Sequence, residues 1–115
     1  MHELSIANAI LEAVREERER LKGARVTKVG VRIGELSGLD PDALSFGFEA
    51  LVKGTDLEPL ALEVESRARR HECSHCKHVF TVVDYQVDCP ACDSTETRCI
   101  GGAELELAYL EVEDP

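Results

Sequence analysis

Four of the five cysteines form two Cys-x-x-Cys pairs, Cys73 with Cys76 and Cys89 with Cys92. Each pair holds two sulfurs one short turn apart, and the 12 residues between the pairs are enough for a hairpin that brings all four together. Four thiolates satisfy tetrahedral Zn(II) and leave no coordination position open for a substrate. The spacing therefore predicts a structural zinc site.

Two other chemistries use the same residues. Two disulfides are disfavoured, because the cytosol expected for this chain keeps thiols reduced and available to metals. Rubredoxin-like iron also takes two such pairs, but Lys77 and Asp93 stand where iron sites have a small glycine after each pair. Cys99 is left over and is interpreted as a small hydrophobic side chain.

Three histidines, His71, His75 and His78, lie around the first cysteine pair. The simpler interpretation makes them exposed polar residues of a hairpin. The alternative hypothesis is that they titrate near physiological pH and change the hydrogen bonding of the thiolates, so that acidification rearranges the zinc site.

The N-terminus offers a second set of ligands. The terminal amine of Met1, the next amide nitrogen and the imidazole of His2 chelate a square-planar ion, which favours Ni(II) or Cu(II) over Zn(II). The large side chain of His2 is expected to keep Met1 in place. Glu3 adds a carboxylate that hydrogen-bonds His2 or fills an open position. Alone, such a terminus is a weak signal, because chain ends are usually frayed.

Hydrophobic periodicity predicts the elements that position these ligands. The last strand changes its alternation midway, which predicts a bulge near Ala108 or burial of both faces. Asp40 and Pro41 suit the N-cap and first residue of a helix. In chain order we expect a helix over 4–22 that stops at Gly23, a strand over 26–33, a helix from 41 to about Gly54, a strand around 60–64 and a strand over 104–113.

Residues 69–100 differ in composition from the rest of the chain. They carry all five cysteines, with four basic and five acidic residues and a net charge of −1, whereas the remainder has 9 basic and 18 acidic residues and a net charge of −9. Strands resume after this segment, so it is interpreted as an insertion. The prediction is an α+β fold, with two helices on a three-stranded mixed sheet built from 1–68 and 101–115, and a zinc-ribbon-like module with four cysteine ligands inserted at 69–100.

Charge and hydropathy exclude several functional classes. The net charge of −10 opposes binding to nucleic acids and anionic membranes, and it favours cations and basic protein surfaces. No membrane span and no signal-peptide pattern is present, so we expect a cytoplasmic protein. There is no nucleophile paired with a base and no phosphate loop, which disfavours a small redox or hydrolytic enzyme.

Three motifs follow one another along the chain: Met1-His2-Glu3-Leu4-Ser5 before an amphipathic helix, Gly34-Glu35-Leu36-Ser37-Gly38 after a strand, and the two Cys-x-x-Cys pairs. In order, spacing and coverage of essentially the whole length, the chain resembles the HypA/HybF family of hydrogenase maturation nickel chaperones. The resemblance implies the α+β fold with an inserted zinc module. It also implies that nickel is carried and not used in catalysis.

The same resemblance implies the metal ligands and partners. Ni(II) binds at the terminal amine of Met1 and at His2, with Glu3 assisting, and structural zinc is held by Cys73, Cys76, Cys89 and Cys92. Nickel is inserted into the [NiFe]-hydrogenase large subunit with the help of an accessory GTPase. A homodimer is a further expectation, because a three-stranded sheet leaves an edge exposed. The competing hypothesis is a zinc-ribbon interaction adaptor in which the N-terminus binds no nickel.

Overall fold

The computed structural model describes residues 3–113. In chain order the elements are α1 (Glu3–Arg20), β1 (Arg25–Gly34), a 3₁₀ turn (Glu35–Ser37), α2 (Pro41–Val52), β2 (Ala61–Arg67), β3 (Arg70–Cys73), β4 (Val79–Thr81), β5 (Thr97–Gly101) and β6 (Leu105–Glu113). The predicted helices and strands are all present, with ends shifted by a few residues.

Two three-stranded sheets organise these elements. The first has the order β2–β1–β6, with β2 parallel and β6 antiparallel to the central strand β1, so it is mixed. The second has the order β4–β3–β5 and is antiparallel, and its strands all come from the cysteine-rich segment. The predicted fold class is confirmed. The exact division of the chain at residues 68 and 101 stays a prediction.

The helix boundaries follow local rules. The Asp40 carboxylate accepts hydrogen bonds from the backbone N–H groups of Asp42 (2.9 Å) and Ala43 (3.4 Å), and Pro41 occupies the first turn of α2. Such a cap stabilises a helix by about 1 kcal/mol. At the other helix, the Gly23 N–H donates to the Arg18 carbonyl at a φ of +78°, which ends α1 as predicted.

The main core lies between the two helices and the inner face of the first sheet. Val29 and Val31 of β1 are buried against Val14 of α1 and Leu44 and Phe48 of α2. Aliphatic side chains dominate this core, as expected from a chain with only five aromatic residues.

The apolar spacing of the first helix in the sequence predicts that Leu4 and Leu21 lie on its buried face, and this prediction is wrong. Leu4 and Leu21 are both exposed. Leu4 lies in the first turn of the helix and Leu21 follows its last residue, so each sits at an end of α1, where fewer neighbouring side chains can cover it.

Two bulges, one in β6 and one in β1, keep the apolar side chains of both strands on the inner face. The register of β6 against β1 shifts at Ala108, and a second shift leaves Thr27 of β1 without an opposite residue. The bulge predicted near Ala108 is confirmed. As a result the residues paired with the inner-face positions of β1 are Leu105, Leu107, Leu110 and Val112.

The outer face of the first sheet is polar and is crossed by one aromatic ring. Tyr109 of β6 lies over Gly30 of β1, and its hydroxyl donates to the Glu63 carboxylate of β2 at 2.7 Å. This hydrogen bond, with desolvation, raises the pKa of Tyr109 to about 12. A Cβ on Gly30 would overlap the Tyr109 ring, so glycine is required there for close approach.

Two glycine-to-alanine substitutions should therefore act in opposite directions. Gly30→Ala is expected to destabilise the protein by about 1–3 kcal/mol, because the Tyr109 ring must move. Gly47→Ala is the control: it lies inside α2, where a Cβ would meet only the Leu4 side chain at 3.4 Å. It should stabilise the protein by about 0.5–1 kcal/mol. Urea denaturation measures both, and equal effects would contradict this account.

Candidate metal centres

The first cysteine pair sits in a tight loop between β3 and β4. The Lys77 N–H donates to the Cys73 carbonyl at 3.1 Å, and the Cys73 N–H donates to the His78 carbonyl at 2.9 Å. Lys77 adopts a φ of +66°. These bonds fold the backbone around the Cys73 sulfur, which accepts N–H bonds from His75 (3.3 Å) and Cys76 (3.5 Å).

The second pair repeats the same loop. The Asp93 N–H donates to the Cys89 carbonyl and the Cys89 N–H donates to the Ser94 carbonyl, both at 2.9 Å. Asp93 has a φ of +61° at the position equivalent to Lys77. Both residues thus adopt the left-handed conformation that glycine favours. Their identity, taken above as an argument against iron, therefore does not separate the two metals.

The four sulfurs converge to a tetrahedron. All four Sγ atoms lie within 4.8 Å of one another, and the pairs Cys73–Cys92 and Cys76–Cys89 are each 3.6 Å apart. A tetrahedral zinc centre with four Zn–S bonds of ~2.3 Å needs sulfur–sulfur distances of about 3.8 Å. The set fits a closed structural zinc site. All five cysteines are free, so the disulfide alternative is wrong.

The thiols of the cluster affect one another's pKa. The N–H groups of Cys76 and His75 lower the pKa of Cys73 to about 6. At Cys92 the Ser94 N–H acts in the same direction, but hydrogen bonds with the neighbouring thiols and desolvation outweigh it and raise the pKa to about 12. Four thiolates this close repel one another, and a divalent ion at their centre is what allows all of them to ionise.

His71 differs from the prediction that the three histidines are exposed. It is 5% exposed, its Nε2 accepts from Arg69 Nε at 3.0 Å, and its Nδ1 lies 3.0 Å from Thr97 Oγ1. Thr97 in turn donates to the Val87 carbonyl at 2.6 Å. Since Arg69 can only donate, His71 is neutral with its proton on Nδ1. Burial, together with the Arg69 charge, lowers its pKa.

The other two histidines are exposed, as predicted. The His78 ring stacks on Phe80 with centroids 6.1 Å apart. Within residues 3–113 no imidazole hydrogen-bonds a cysteine sulfur, so the tuning of the zinc site by histidines stays a prediction. Cys99 is exposed on β5, outside the four-sulfur cluster.

The predicted nickel ligands are only partly described by the structure. Met1 and His2 lie outside the described residues, and Glu3 is the first residue of α1. Directly after it, Leu4 approaches Gly47 of α2. Among residues 3–113, the four cysteines form the one cluster of three or more candidate metal ligands.

The Gly34–Gly38 motif has a role that its spacing did not reveal. The Glu35 carboxylate accepts from the Arg69 N–H at 3.2 Å, and the Leu36 N–H donates to the Gly102 carbonyl at 2.6 Å. A Cβ on Gly34 would overlap the Gly102 backbone. The motif therefore holds both chain segments that lead into and out of the second sheet. The only signal in the sequence was a glycine-bounded turn after a strand.

Comparisons with known proteins identify the family to which this chain is similar. A family model described as "Hydrogenase/urease nickel incorporation, metallochaperone, hypA" matches residues 1–112. Hydrogenase maturation factor HypA of Roseiflexus sp. (strain RS-1) is 43% identical over 99% of this chain and 94% of its own length. The factor of the same name from Geobacter sulfurreducens is 41% identical over 98% of this chain and 100% of its own.

Solved structures show the same similarity. The solution structure of the Ni metallochaperone HypA from Helicobacter pylori has a TM-score of 0.67 and 26% identity, and the comparison covers 100% of both chains. A second solution structure of a HypA protein has a TM-score of 0.72 and 27% identity, over 98% of this chain and 97% of that one. Within residues 3–113 no helix is long and apolar enough to cross a membrane.

Removing zinc should unfold the second sheet and spare the first. The buried side chains around the cysteines include only Phe80 and Val82 as large apolar groups, so the metal must supply most of the folding free energy. After chelation, hydrogen exchange should lose protection in β3, β4 and β5 while β1 stays protected. Equal loss in β1 would contradict this.

A matched pair of cysteine variants tests the ligand set. Cys76→Ser should lose the metal and the protection of the second sheet. Cys99→Ser should keep about one zinc per chain by elemental analysis, because Cys99 lies outside the cluster. The same analysis distinguishes zinc from iron.

Proposed function

This chain belongs to the HypA family, and we propose that it binds Ni(II) through the terminal amine of Met1, His2 and Glu3 and releases it during hydrogenase maturation. The observation that carries the proposal is the match to a nickel-incorporation family from residue 1 to residue 112, which includes the N-terminal ligand set. The chain is a nickel metallochaperone with a structural zinc site. Its role is transport and not catalysis, in agreement with the prediction that it is not an enzyme.

The nitrogen ligands at the N-terminus suit a carrier that must release its metal. Two backbone nitrogens and one imidazole favour square-planar Ni(II) and leave a position for a donor of the receiving protein. Fewer protein ligands than a closed four-ligand site have to be broken on release. We expect micromolar-range affinity.

The start of α1 is expected to lower the affinity for nickel further. Residues 1 and 2 immediately precede a helix that begins at Glu3. The N-terminus of a helix carries roughly half a positive charge, which opposes a bound cation. The Glu3 carboxylate offsets that charge. The net charge of −10 draws cations toward the protein as a whole.

The zinc site has a separate, structural task. We assign its four ligands as Cys73, Cys76, Cys89 and Cys92, and the inserted module as residues 69–100 between the two parts of the nickel-binding domain, 1–68 and 101–115. The convergence of the four sulfurs supports the assignment, because a closed four-thiolate set has no position for exchange. Zinc therefore stays in place while nickel is exchanged.

The family places the chain in the machinery of hydrogenase maturation. More specifically, we propose that it works with an accessory GTPase and delivers nickel to the hydrogenase large subunit in the cytoplasm. Support comes from the acidic surface, which favours basic partner faces and disfavours nucleic acids.

Nickel binding should depend on His2 and on a free terminal amine. In a calorimetric titration of zinc-loaded protein with an authentic N-terminus, we expect about one Ni(II) per chain. His2→Ala should weaken binding by at least about tenfold, and a Gly-Ser extension before Met1 should do the same because it displaces the amine. His78→Ala, at an exposed histidine in the loop between β3 and β4, is the matched control and should bind like wild type.

Zinc content of the same samples is the second readout. It should stay at about one ion per chain in all four proteins, because the two metals use different ligands. Equal nickel binding by wild type and His2→Ala would contradict the proposal and favour the zinc-ribbon adaptor.

A further inference from the structure

The two helices leave part of the first sheet uncovered. α1 packs against α2 and β1, and α2 also packs against β2, while neither helix packs closely on β6 within the described chain. Three of the four inward-facing side chains of β6 are accordingly accessible, since Leu105 is 43% exposed, Leu107 38% and Val112 45%, whereas Leu110 packs against the main core. Inner-face residues of this kind are normally buried.

These side chains form one wall of a groove, and α1 forms the other. Two adjoining clefts of ≈ 200 Å³ and ≈ 570 Å³ share Ala13 and Leu107 and extend along the length of the helix. Ala9 is exposed where the groove begins, and Leu21 and Val112 lie at its far end. The small alanines of α1 keep the groove open.

The charged residues of the groove are all acidic. Glu16 and Glu17 of α1 line it, and no lysine or arginine among residues 3–113 does. Glu106 of β6 also adjoins the groove, but its carboxylate pairs with Arg32 on the outer face of the sheet (3.4 Å). Glu17 is paired with Arg20 (2.9 Å), whereas Glu16 has no ion pair among the described residues, so the α1 side of the groove complements a ligand that carries positive charge beside an apolar stripe.

We propose that this groove binds an amphipathic helix of a partner protein whose apolar stripe is flanked by lysine or arginine. The exposed apolar side chains project from the face of β6, where a helix packs, and not from its edge, where a strand would pair. A third helix beside α1 would complete the layer that α1 and α2 leave unfinished.

A second copy of this chain is a poorer occupant. Each copy carries a net charge of −10, and a two-fold contact through the groove would bring the two acidic rims together. The inference does not depend on nickel binding, so the nickel experiments and the one below can fail independently.

The test uses full-length, zinc-loaded protein and two synthetic fluorescent helical peptides of about 18 residues, long enough to span the groove at 1.5 Å per residue. Both have the same leucine and alanine stripe, flanked by lysine in one and by glutamate in the other. Fluorescence anisotropy should show that the lysine peptide binds at least about tenfold more tightly than the glutamate peptide, with affinity that falls as salt rises. In NMR spectra the lysine peptide should shift amide signals of α1 and β6 and leave those of α2 in place.

Two alanine-to-glutamine variants provide the matched comparison. Ala9→Gln fills the groove from an exposed helical position, and Ala50→Gln makes the same change at an exposed position of α2. Alanine and glutamine both have a high helix propensity, so both variants should fold. Ala9→Gln should weaken binding of the lysine peptide at least about tenfold, and Ala50→Gln should not change it.

Four outcomes would overturn the proposal. They are equal binding of the two peptides, no binding of either, equal effects of the two variants, and NMR shifts confined to α2 or the zinc module. A dimer in sedimentation equilibrium that Ala9→Gln dissociates would overturn it too, because the groove would then belong to a second copy.

Discussion

Strand β1 is the constraint on which the first sheet and its two helices depend. It hydrogen-bonds a strand on each edge, and one of its faces lies against the core while the other faces solvent. Its inner valines form the core, its outer Lys28 and Arg32 pair with carboxylates of the adjacent strands, and Gly30 leaves room for Tyr109. The parallel β2 and the antiparallel β6 both pair with this strand, and a bulge at Ala108 keeps every leucine of β6 on the inner face.

The cysteine-rich segment that forms the second sheet is stabilised by a different interaction. Its buried apolar groups are few, and its two cysteine loops are shaped by backbone hydrogen bonds around the sulfurs. A metal with four thiolates replaces the core that this segment lacks. The turn at Gly34–Gly38 connects the first sheet to the second through hydrogen bonds with the backbone of Arg69 and Gly102.

The features predicted from the sequence were those with local causes. The cysteine spacing, the Asp40–Pro41 cap and the reversed alternation around Ala108 each depend on a few neighbouring residues, and all three appear in the structure. The errors depended on contacts distant in sequence. The burial of His71 comes from Arg69, Phe80 and Thr97, which meet around its ring, and Leu4 is exposed because it lies in the first turn of α1. Met1 and His2 lie outside the described residues.

Helix α1 connects the proposed nickel ligands with the proposed docking groove. It begins directly after the first two proposed nickel ligands, and its side lines the proposed docking groove from Ile6 onward. Ile6 is about one helical turn, roughly 5 Å of rise, from Glu3. A partner helix seated in the groove would therefore lie close to Glu3, one of the proposed nickel ligands. Docking and ligand exchange would then be neighbouring events, since the contact that holds the partner also raises the local concentration of its metal-binding side chains.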